Sequence, residues 1–483
     1  MELKRIKYIF ICSLFLIACK HEPYLVTGDY PANISKIIQT NCAITGCHNN
    51  KSYEGAGGLN LTTWNNMFAG GNIGTCVIPY RSDFSTLCYY TNTDTNLGVT
   101  LEPTMPVNAS PLSQSDYLAL RNWILNGAPN SQGKIKFADD PTRSKIYVTN
   151  KLCDVVTVFD TKTLLQMRYI DVGNRPTEEF PHYIQVSPDK KNWYVSFFVP
   201  SSTIQKFDAT DDIFVSDINI GDGVWTSFTI THDSKYGFFV DNQAKGRVAY
   251  VNLETGKLIA TYEFGDSVRY PQGIIVNESS TKLYIGSTLG NYIYSVDISN
   301  PTEPILKTLS IDGSNVIKQN SVLDPLELVL GENDICFAAC SKSHEIRAID
   351  MNTDAIIASI DVGSNPAYID YSKAKKKLFV TCPDDRASFP GNRGSVVIVN
   401  TETYIVDKRI DAGYQPYGVA VDDKSGVVAI VNANFAPGGD EPHHSSNCDG
   451  KNGNVTFIDL NTLELVPGIK SEVAVYPYTA AAR

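Results

Sequence analysis

The sequence of 483 residues is short of positive charge, of methionine and of histidine. A formal net charge of −11 leaves no basic excess for a phosphate backbone, so we expect no nucleic-acid partner. No phosphate-binding glycine loop, nucleophile elbow or catalytic triad in chain order is present. The motifs that are present indicate an exported protein with redox chemistry. The first of them lies at the N-terminus.

Basic residues precede a short apolar run, residues 8–18, that is too short to span a bilayer. This order predicts a secretory signal peptide. The run ends in Leu16-Ile17-Ala18-Cys19, which resembles the lipobox of bacterial lipoproteins. The resemblance implies that residues 1–19 are signal peptide and lipobox, that Cys19 becomes the lipidated N-terminus, and that the chain is an outer-membrane lipoprotein facing the periplasm or the cell surface. An ordinary signal peptide that contains this cysteine by chance is the alternative.

Two thiols followed directly by an imidazole occur at Cys42, Cys47 and His48. A c-type haem needs two cysteines to add across the porphyrin vinyl groups and a histidine to ligate the iron. The common spacing has two residues between the cysteines, whereas four separate them here. A disulfide loop or part of a zinc site therefore stays open as an alternative at this point.

A second axial ligand is suggested by Met105, one of only five methionines. It is followed by Pro106 and precedes a helix that we expect to be capped by Ser113 or Ser115. A thioether sulfur on a short loop is a suitable sixth ligand for a low-spin haem. Met105 as a buried gap-filler, or Met67 as the ligand, are the competing interpretations.

With these features, residues 30–129 resemble the cytochrome c domains of multidomain bacterial lipoproteins, in which C-x4-C-H is a known variant. The resemblance implies one covalently bound haem c, attached through Cys42 and Cys47 and ligated by His48 and Met105. It also implies electron transfer with redox partner proteins. We accordingly expect residues 20–130 to form a small all-α cytochrome c-like domain.

From residue 134 the pattern changes to short alternating strands rich in Val, Ile, Tyr and Phe. One strand signature occurs seven times, beginning at residues 146, 193, 238, 283, 335, 378 and 428. A second strand follows each and ends in Asp160, Asp208, Asn252, Asp297, Asp350, Asn400 and Asp459. The seven copies are spaced roughly 40 to 60 residues apart, and such periods are typical of propellers and solenoids. The terminal Asp or Asn is best explained as a turn residue that caps its own backbone.

The repeats resemble YVTN-type seven-bladed propellers, since residues 146–150 read IYVTN and residues 187–191 read SPDKK. The predicted fold class is therefore multidomain, a small all-α cytochrome c-like domain followed by an all-β seven-bladed propeller in residues 134–483. Relatives of this propeller include nitrous oxide reductase, whose blades hold a copper cluster with many histidines. The propeller part here has only five histidines, which argues against that cluster.

Cysteines and histidines left over raise a possible second site. His443, His444 and Cys448 lie in one insertion of blade seven and could bind copper or zinc. A Cys382–Cys448 disulfide would explain both cysteines without a metal. We also expect Cys76 to pair with Cys88, whereas Cys336 and Cys340 lie on one strand and too far apart to bond.

Three functions are consistent with these patterns. The favoured one is an exported, lipid-anchored c-type cytochrome that carries electrons, with the propeller as docking or scaffold module. The second is a periplasmic redox enzyme with a substrate or second metal near His182, His443 and His444 in the propeller. The third is a cell-surface binding or adhesion protein. An electron carrier is favoured over an oxidoreductase with its own substrate, because only the haem residues are visible in the sequence.

Overall fold

A seven-bladed β-propeller makes up most of the structure, a computed structural model that describes residues 28–320, 322–443 and 448–483. Each blade is a four-stranded antiparallel sheet. Blade one contains β28 (Pro477–Ala482), β1 (Lys145–Asn150), β2 (Val155–Asp160) and β3 (Leu165–Asp171). Blade two contains β4 (Pro181–Val186), β5 (Asn192–Phe197), β6 (Ser201–Asp208) and β7 (Phe214–Gly223), and blade three contains β8 (Trp225–Ile230), β9 (Tyr236–Asp241), β10 (Arg247–Asn252) and β11 (Lys257–Glu263).

The remaining blades have the same order. Blade four contains β12 (Pro271–Val276), β13 (Lys282–Ser287), β14 (Tyr292–Asp297) and β15 (Ile305–Ser310), and blade five contains β16 (Pro325–Leu330), β17 (Ile335–Cys340), β18 (Glu345–Asp350) and β19 (Ala355–Asp361). Blade six contains β20 (Ile369–Ser372), β21 (Lys377–Cys382), β22 (Ser395–Asn400) and β23 (Ile405–Ile410), and blade seven contains β24 (Pro416–Asp422), β25 (Val427–Asn432), β26 (Asn452–Asp459) and β27 (Glu464–Val475). The predicted seven-bladed propeller is confirmed.

The ring closes because the last strand completes the first blade. β28 pairs antiparallel with β1, with Ile146 opposite Ala482 and Val148 opposite Ala480. It also lies beside β24 and β4, the innermost strands of the neighbouring blades. Closure leaves no inner strand edge open to another chain. The innermost strands surround a central channel with a cavity of about 360 Å³.

The Asp or Asn at the end of the third strand in each blade caps the following turn, as predicted. In blade one, a side-chain oxygen of Asp160 accepts a hydrogen bond from the Thr163 amide at 2.9 Å. In blade three, Asn252 accepts from the Thr255 amide at 2.9 Å. The corresponding residues of the other five blades accept from amides two or three positions on. These repeated residues therefore have a structural role.

Before the propeller lies the N-terminal segment, here residues 28–133. Its helices are α1 (Ala32–Asn41), α2 (Trp64–Met67), α3 (Thr86–Thr91) and α4 (Gln114–Leu125). Short 3₁₀ turns occur at Tyr53–Gly55, Ser82–Phe84 and Thr95–Leu97, with two more in the propeller at Gly265–Ser267 and Glu332–Asp334. The side chain of Ser113 caps α4 by accepting from the Asp116 amide at 3.1 Å. No helix in the described residues is long and apolar enough to cross a membrane.

The prediction of a separate all-α cytochrome c-like domain is wrong. The described part of the chain is nearly all β, and the four helices in it are joined by irregular loops rather than packed as a bundle. Buried side chains of the segment, among them Tyr30 and Met67, belong to one hydrophobic cluster with Tyr147 and Trp193 of the propeller. The C-x4-C-H motif of residues 42–48 resembles that of a cytochrome c, but a motif of this length does not determine the secondary structure of the residues around it.

The segment is fixed against blade one by polar and aromatic contacts. Thr75 donates its hydroxyl to the Gln166 carbonyl at 2.9 Å, and Arg81 pairs with Asp171 at 2.8 Å. The rings of Phe84 and Tyr169 stack with centroids 4.1 Å apart. These contacts, together with the shared core, make the segment an attachment on blade one.

Among the described cysteines, the structure contains one disulfide, between Cys153 and Cys448, 295 residues apart. The proposed Cys382–Cys448 pairing is therefore wrong. The expected Cys76–Cys88 pairing is also not formed, since both side chains are buried free thiols. Cys336 and Cys340 lie on β17 and are unbonded, as predicted. Cys19 and the signal peptide lie outside the described residues.

Candidate functional site: a cavity lined by the C-x4-C-H motif

A cavity of about 500 Å³ lies within the N-terminal segment. Its wall includes Cys42, Cys47, His48 and Met105, all four residues that the sequence singled out. Apolar side chains complete much of the lining, namely Leu59, Leu61, Ile73, Leu87 and Val107. The volume falls in the range of cofactor and ligand sites, and is far larger than a single metal ion requires. The fold thus brings together residues that are about 60 positions apart.

The end of α1 positions the C-x4-C-H loop. The Cys42 amide donates to the Ile38 carbonyl at 2.9 Å and so extends the last turn of the helix. The chain then reverses through Gly46, whose φ of 85° favours glycine. The His48 amide returns to the Cys42 carbonyl at 3.1 Å. This compact turn places both thiols and the imidazole on the same cavity wall.

A backbone carbonyl fixes the tautomer of the neutral His48 ring. Its Nδ1 lies 3.0 Å from the Leu59 carbonyl oxygen, which can only accept a hydrogen bond. Nδ1 therefore carries the proton, and Nε2 keeps its lone pair. A backbone carbonyl in this role is the usual orienting partner of a ligating histidine. The Leu61 amide donates to the His48 carbonyl at 2.8 Å, which fixes the backbone as well.

Met105 comes to the cavity on the loop before α4. Its amide donates to the Tyr90 carbonyl at 2.7 Å, and the peptide bond to Pro106 is cis. The side chain is half-buried on the cavity wall. Met67, the competing ligand, is fully buried in the core and does not line this cavity. The geometry therefore distinguishes the two methionines, which the sequence alone had left open.

A third thiol, that of Cys76, also lines the cavity and was missed as a site residue by the sequence interpretation. Burial raises the pKa of Cys42 and of Cys76 to about 12, so both are protonated thiols at neutral pH. Three thiols and a histidine could suggest structural zinc. Within the described residues, however, no group of three or more His, Cys, Asp or Glu is close enough to hold a metal ion. Tyr90, also missed, forms another part of the wall.

The speculative second site in the blade-seven insertion loses one of its three predicted ligands. Cys448 is used in the disulfide with Cys153, so its thiol cannot ligate a metal. The His443 Nδ1 lies 3.3 Å from a Glu472 carboxylate oxygen. His444 lies outside the described residues. Cys448 was wrongly included because sequence proximity does not show which distant thiol a cysteine will meet.

The fold and cavity together define a seven-bladed β-propeller protein with a thiol- and imidazole-lined cavity in its N-terminal segment. No family model and no curated protein sequence matches this chain. Among solved structures it is similar to Kuenenia stuttgartiensis hydrazine synthase, with 15% identity, a TM-score of 0.48, and coverage of 62% of this chain and 89% of that chain. A functionally unknown protein from Desulfotomaculum acetoxidans DSM 771 gives 13% identity, a TM-score of 0.49, and coverage of 69% and 99%. At these values the similarities carry no functional argument.

Proposed function

We propose that this protein binds one haem c covalently through Cys42 and Cys47, with His48 and Met105 as axial ligands, and that it transfers electrons. The observation that carries the proposal is that these four residues, chosen from the sequence, line one apolar-walled cavity. A haem supplies an iron that alternates between ferric and ferrous states and so carries one electron at a time.

The roles of the chain's own residues follow from their positions. The Leu59 carbonyl holds the Nδ1 proton of His48 and leaves Nε2 available as a ligand. The loop that carries Met105 is tied to Tyr90, which supports a thioether at a fixed position. Apolar side chains such as Leu59 and Leu87 form much of the cavity wall, which limits the contact of a bound group with water. Low water access is one of the means by which a protein tunes a redox potential.

The compartment and partners belong to the same proposal. The signal peptide and Cys19 would place the chain, lipid-anchored, at the outer membrane on its periplasmic or outer face. The net charge of −11 suits basic redox partner proteins. The propeller, with the segment attached to blade one, would act as the docking or scaffold module. The Cys19→Ser variant should leave the membrane fraction if this anchor is used.

The direct test is a reduced pyridine haemochrome spectrum with metal analysis of the mature chain, expressed with c-type maturation factors. One covalent haem per chain is expected. Cys47→Ser should lose a thioether link and change the spectrum. Cys76→Ser is the matched control, because it removes a thiol from the same cavity outside the motif and should leave both links intact. Absence of covalent haem from the parent protein would overturn the proposal.

The two axial ligands can be separated. His48→Ala should abolish the low-spin spectrum, whereas Met105→Ala should leave haem attached but high-spin. Met67→Leu is the matched control, since this methionine lies in the core and not on the cavity wall. An unchanged reduced spectrum in both ligand variants would contradict the assignment.

A further inference from the structure

A second place with the chemistry of a ligand site lies in the propeller, at one mouth of the central channel. Loops at the ends of strands bring five side chains together there: Lys151, Phe198, Phe435, Tyr476 and Tyr478. We call this group the channel mouth. Tyr478 connects it to the channel, because its ring lies 5.5 Å from that of Tyr368, which lines the channel cavity.

Lys151 is the only charged member of the channel mouth, and aromatic rings surround its ammonium group. The nitrogen lies 4.3 Å from the ring centre of Phe198, 4.2 Å from that of Tyr478 and 5.7 Å from that of Tyr476. Among the described residues, no carboxylate forms an ion pair with Lys151. Burial alone lowers the pKa of Lys151 to about 8, so the ammonium is still largely charged at neutral pH. A partly desolvated cation without a counter-charge favours binding of an anion.

Two apolar rings of the channel mouth are partly open to solvent. Phe198 is 44% exposed and Phe435 is 55% exposed, although both are large apolar residues. Phe435 stacks on Tyr476 with centroids 4.4 Å apart, and this contact holds the ring in place while much of it stays open to solvent. Fixed, exposed rings of this kind are suited to stacking against a flat molecule.

His182 adds an acceptor beside the cation. Its ring stacks on Phe198 with centroids 4.9 Å apart and lies 4.8 Å from Tyr478. Nδ1 donates to the Thr226 carbonyl at 2.9 Å, which leaves Nε2 unprotonated. Nε2 makes no hydrogen bond with any residue the structure describes. A hydroxyl group on a ligand could donate to it.

We propose that the channel mouth binds a small organic acid, with the carboxylate on the Lys151 ammonium and a ring against the exposed part of Phe435. The carboxylate supplies the missing counter-charge, and the ring covers apolar surface that otherwise faces water. The ring could belong to an aromatic acid or to a sugar acid, which share this chemistry. All the residues involved belong to the propeller, so the proposal stands independently of the haem.

The test is isothermal titration calorimetry on the full mature chain. The probes are 4-hydroxybenzoate for an aromatic acid, glucuronate for a sugar acid, and acetate and 4-hydroxybenzyl alcohol as controls that lack the ring or the charge. At least one of the two ring acids should bind at least tenfold more tightly than both controls. Whichever of the two ring acids binds more tightly identifies the ligand as an aromatic acid or a sugar acid.

Variants locate the binding. Lys151→Met keeps an unbranched side chain without the charge and should weaken binding at least tenfold. Lys206→Met is the matched control, since Lys206 also contacts a ring, that of Tyr194, but lies outside the channel mouth. Phe435→Ala, at an exposed position, should fold normally and weaken binding severalfold. No heat from either ring acid, or equal affinity for the parent and Lys151→Met proteins, would overturn the proposal.

Discussion

The propeller and the N-terminal segment bury their apolar surface in different ways. In the propeller, one four-stranded unit is repeated, and each sheet packs against the next around a closed ring. In the segment, short helices and loops pack once, partly on each other and partly on blade one. Repetition produces a rigid ring from local rules, whereas the irregular segment can form a cavity and place particular side chains around it. The candidate haem site therefore lies in the part with less regular structure.

Opening the ring should have the largest effect. Deletion of residues 477–483 removes β28, which forms the inner strand of blade one and contacts β24 and β4. The strand β1 then has an unpaired inner edge, and blade one loses the contacts that β28 makes with β24 of blade seven and with β4 of blade two. We expect loss of the cooperative thermal transition and aggregation on size-exclusion chromatography.

Replacement of these residues by a Gly-Ser segment of equal length controls for chain length and should fail in the same way. A soluble truncated chain with the parent melting temperature would show that closure contributes little to stability.

How strongly the segment depends on the propeller can be measured with Met67→Ala. Met67 is fully buried in the cluster that joins the segment to blade one. A buried Met→Ala change costs about 2–5 kcal/mol. We expect the free energy of unfolding to fall by this amount in a single urea transition, followed by circular dichroism of the sheets and by tryptophan fluorescence.

Ile44→Ala, at a residue that is 40% exposed in the same segment, is the control and should change little. Two separate transitions, with only the first shifted by Met67→Ala, would show that segment and propeller unfold independently.

The same contrast explains what could be predicted from the sequence. The propeller was predictable because the same strand pattern occurs seven times in the sequence. The Asp or Asn at the end of each third strand also marks where that strand ends. The cavity residues Cys42, Cys47, His48 and Met105 were predictable because their chemistry is unusual and their number small. The fold around them was not, because loops without periodicity give no pattern. The Cys153–Cys448 bond and the rings around Lys151 depend on contacts between distant residues, which one sequence does not reveal.

A buried acid in the propeller channel should make the stability depend on pH. Burial raises the pKa of Glu327 to about 8, above its usual value of 4.5. Between these values the folded protein holds a proton that the unfolded chain releases. The free energy of unfolding should therefore fall as pH rises from about 4.5 to about 8, by at most about 1.4 kcal/mol per pH unit from this group.

Glu327→Gln removes this proton and should flatten the slope, measured by urea unfolding across that range. Glu254→Gln, at an exposed position, is the control and should keep the parent slope. An unchanged slope in Glu327→Gln would show that the carboxyl group is already ionised in the folded state.

The smallest expected effect compares one kind of turn in both regions. In the propeller, Asn252 accepts a hydrogen bond from the Thr255 amide, and Asn252→Ala should cost about 1 kcal/mol and nothing else. In the segment, Asn49 accepts in the same way from the Lys51 amide at 2.9 Å and follows His48 directly. Asn49→Ala should cost a similar amount. Under the proposed haem binding it should also lower the fraction of chains with low-spin haem, because this turn holds the backbone beside His48. Equal spectra in the two variants would mean that the Leu59 carbonyl alone positions His48. The hydrogen bond of Asn49 would then stabilise its turn without affecting the imidazole.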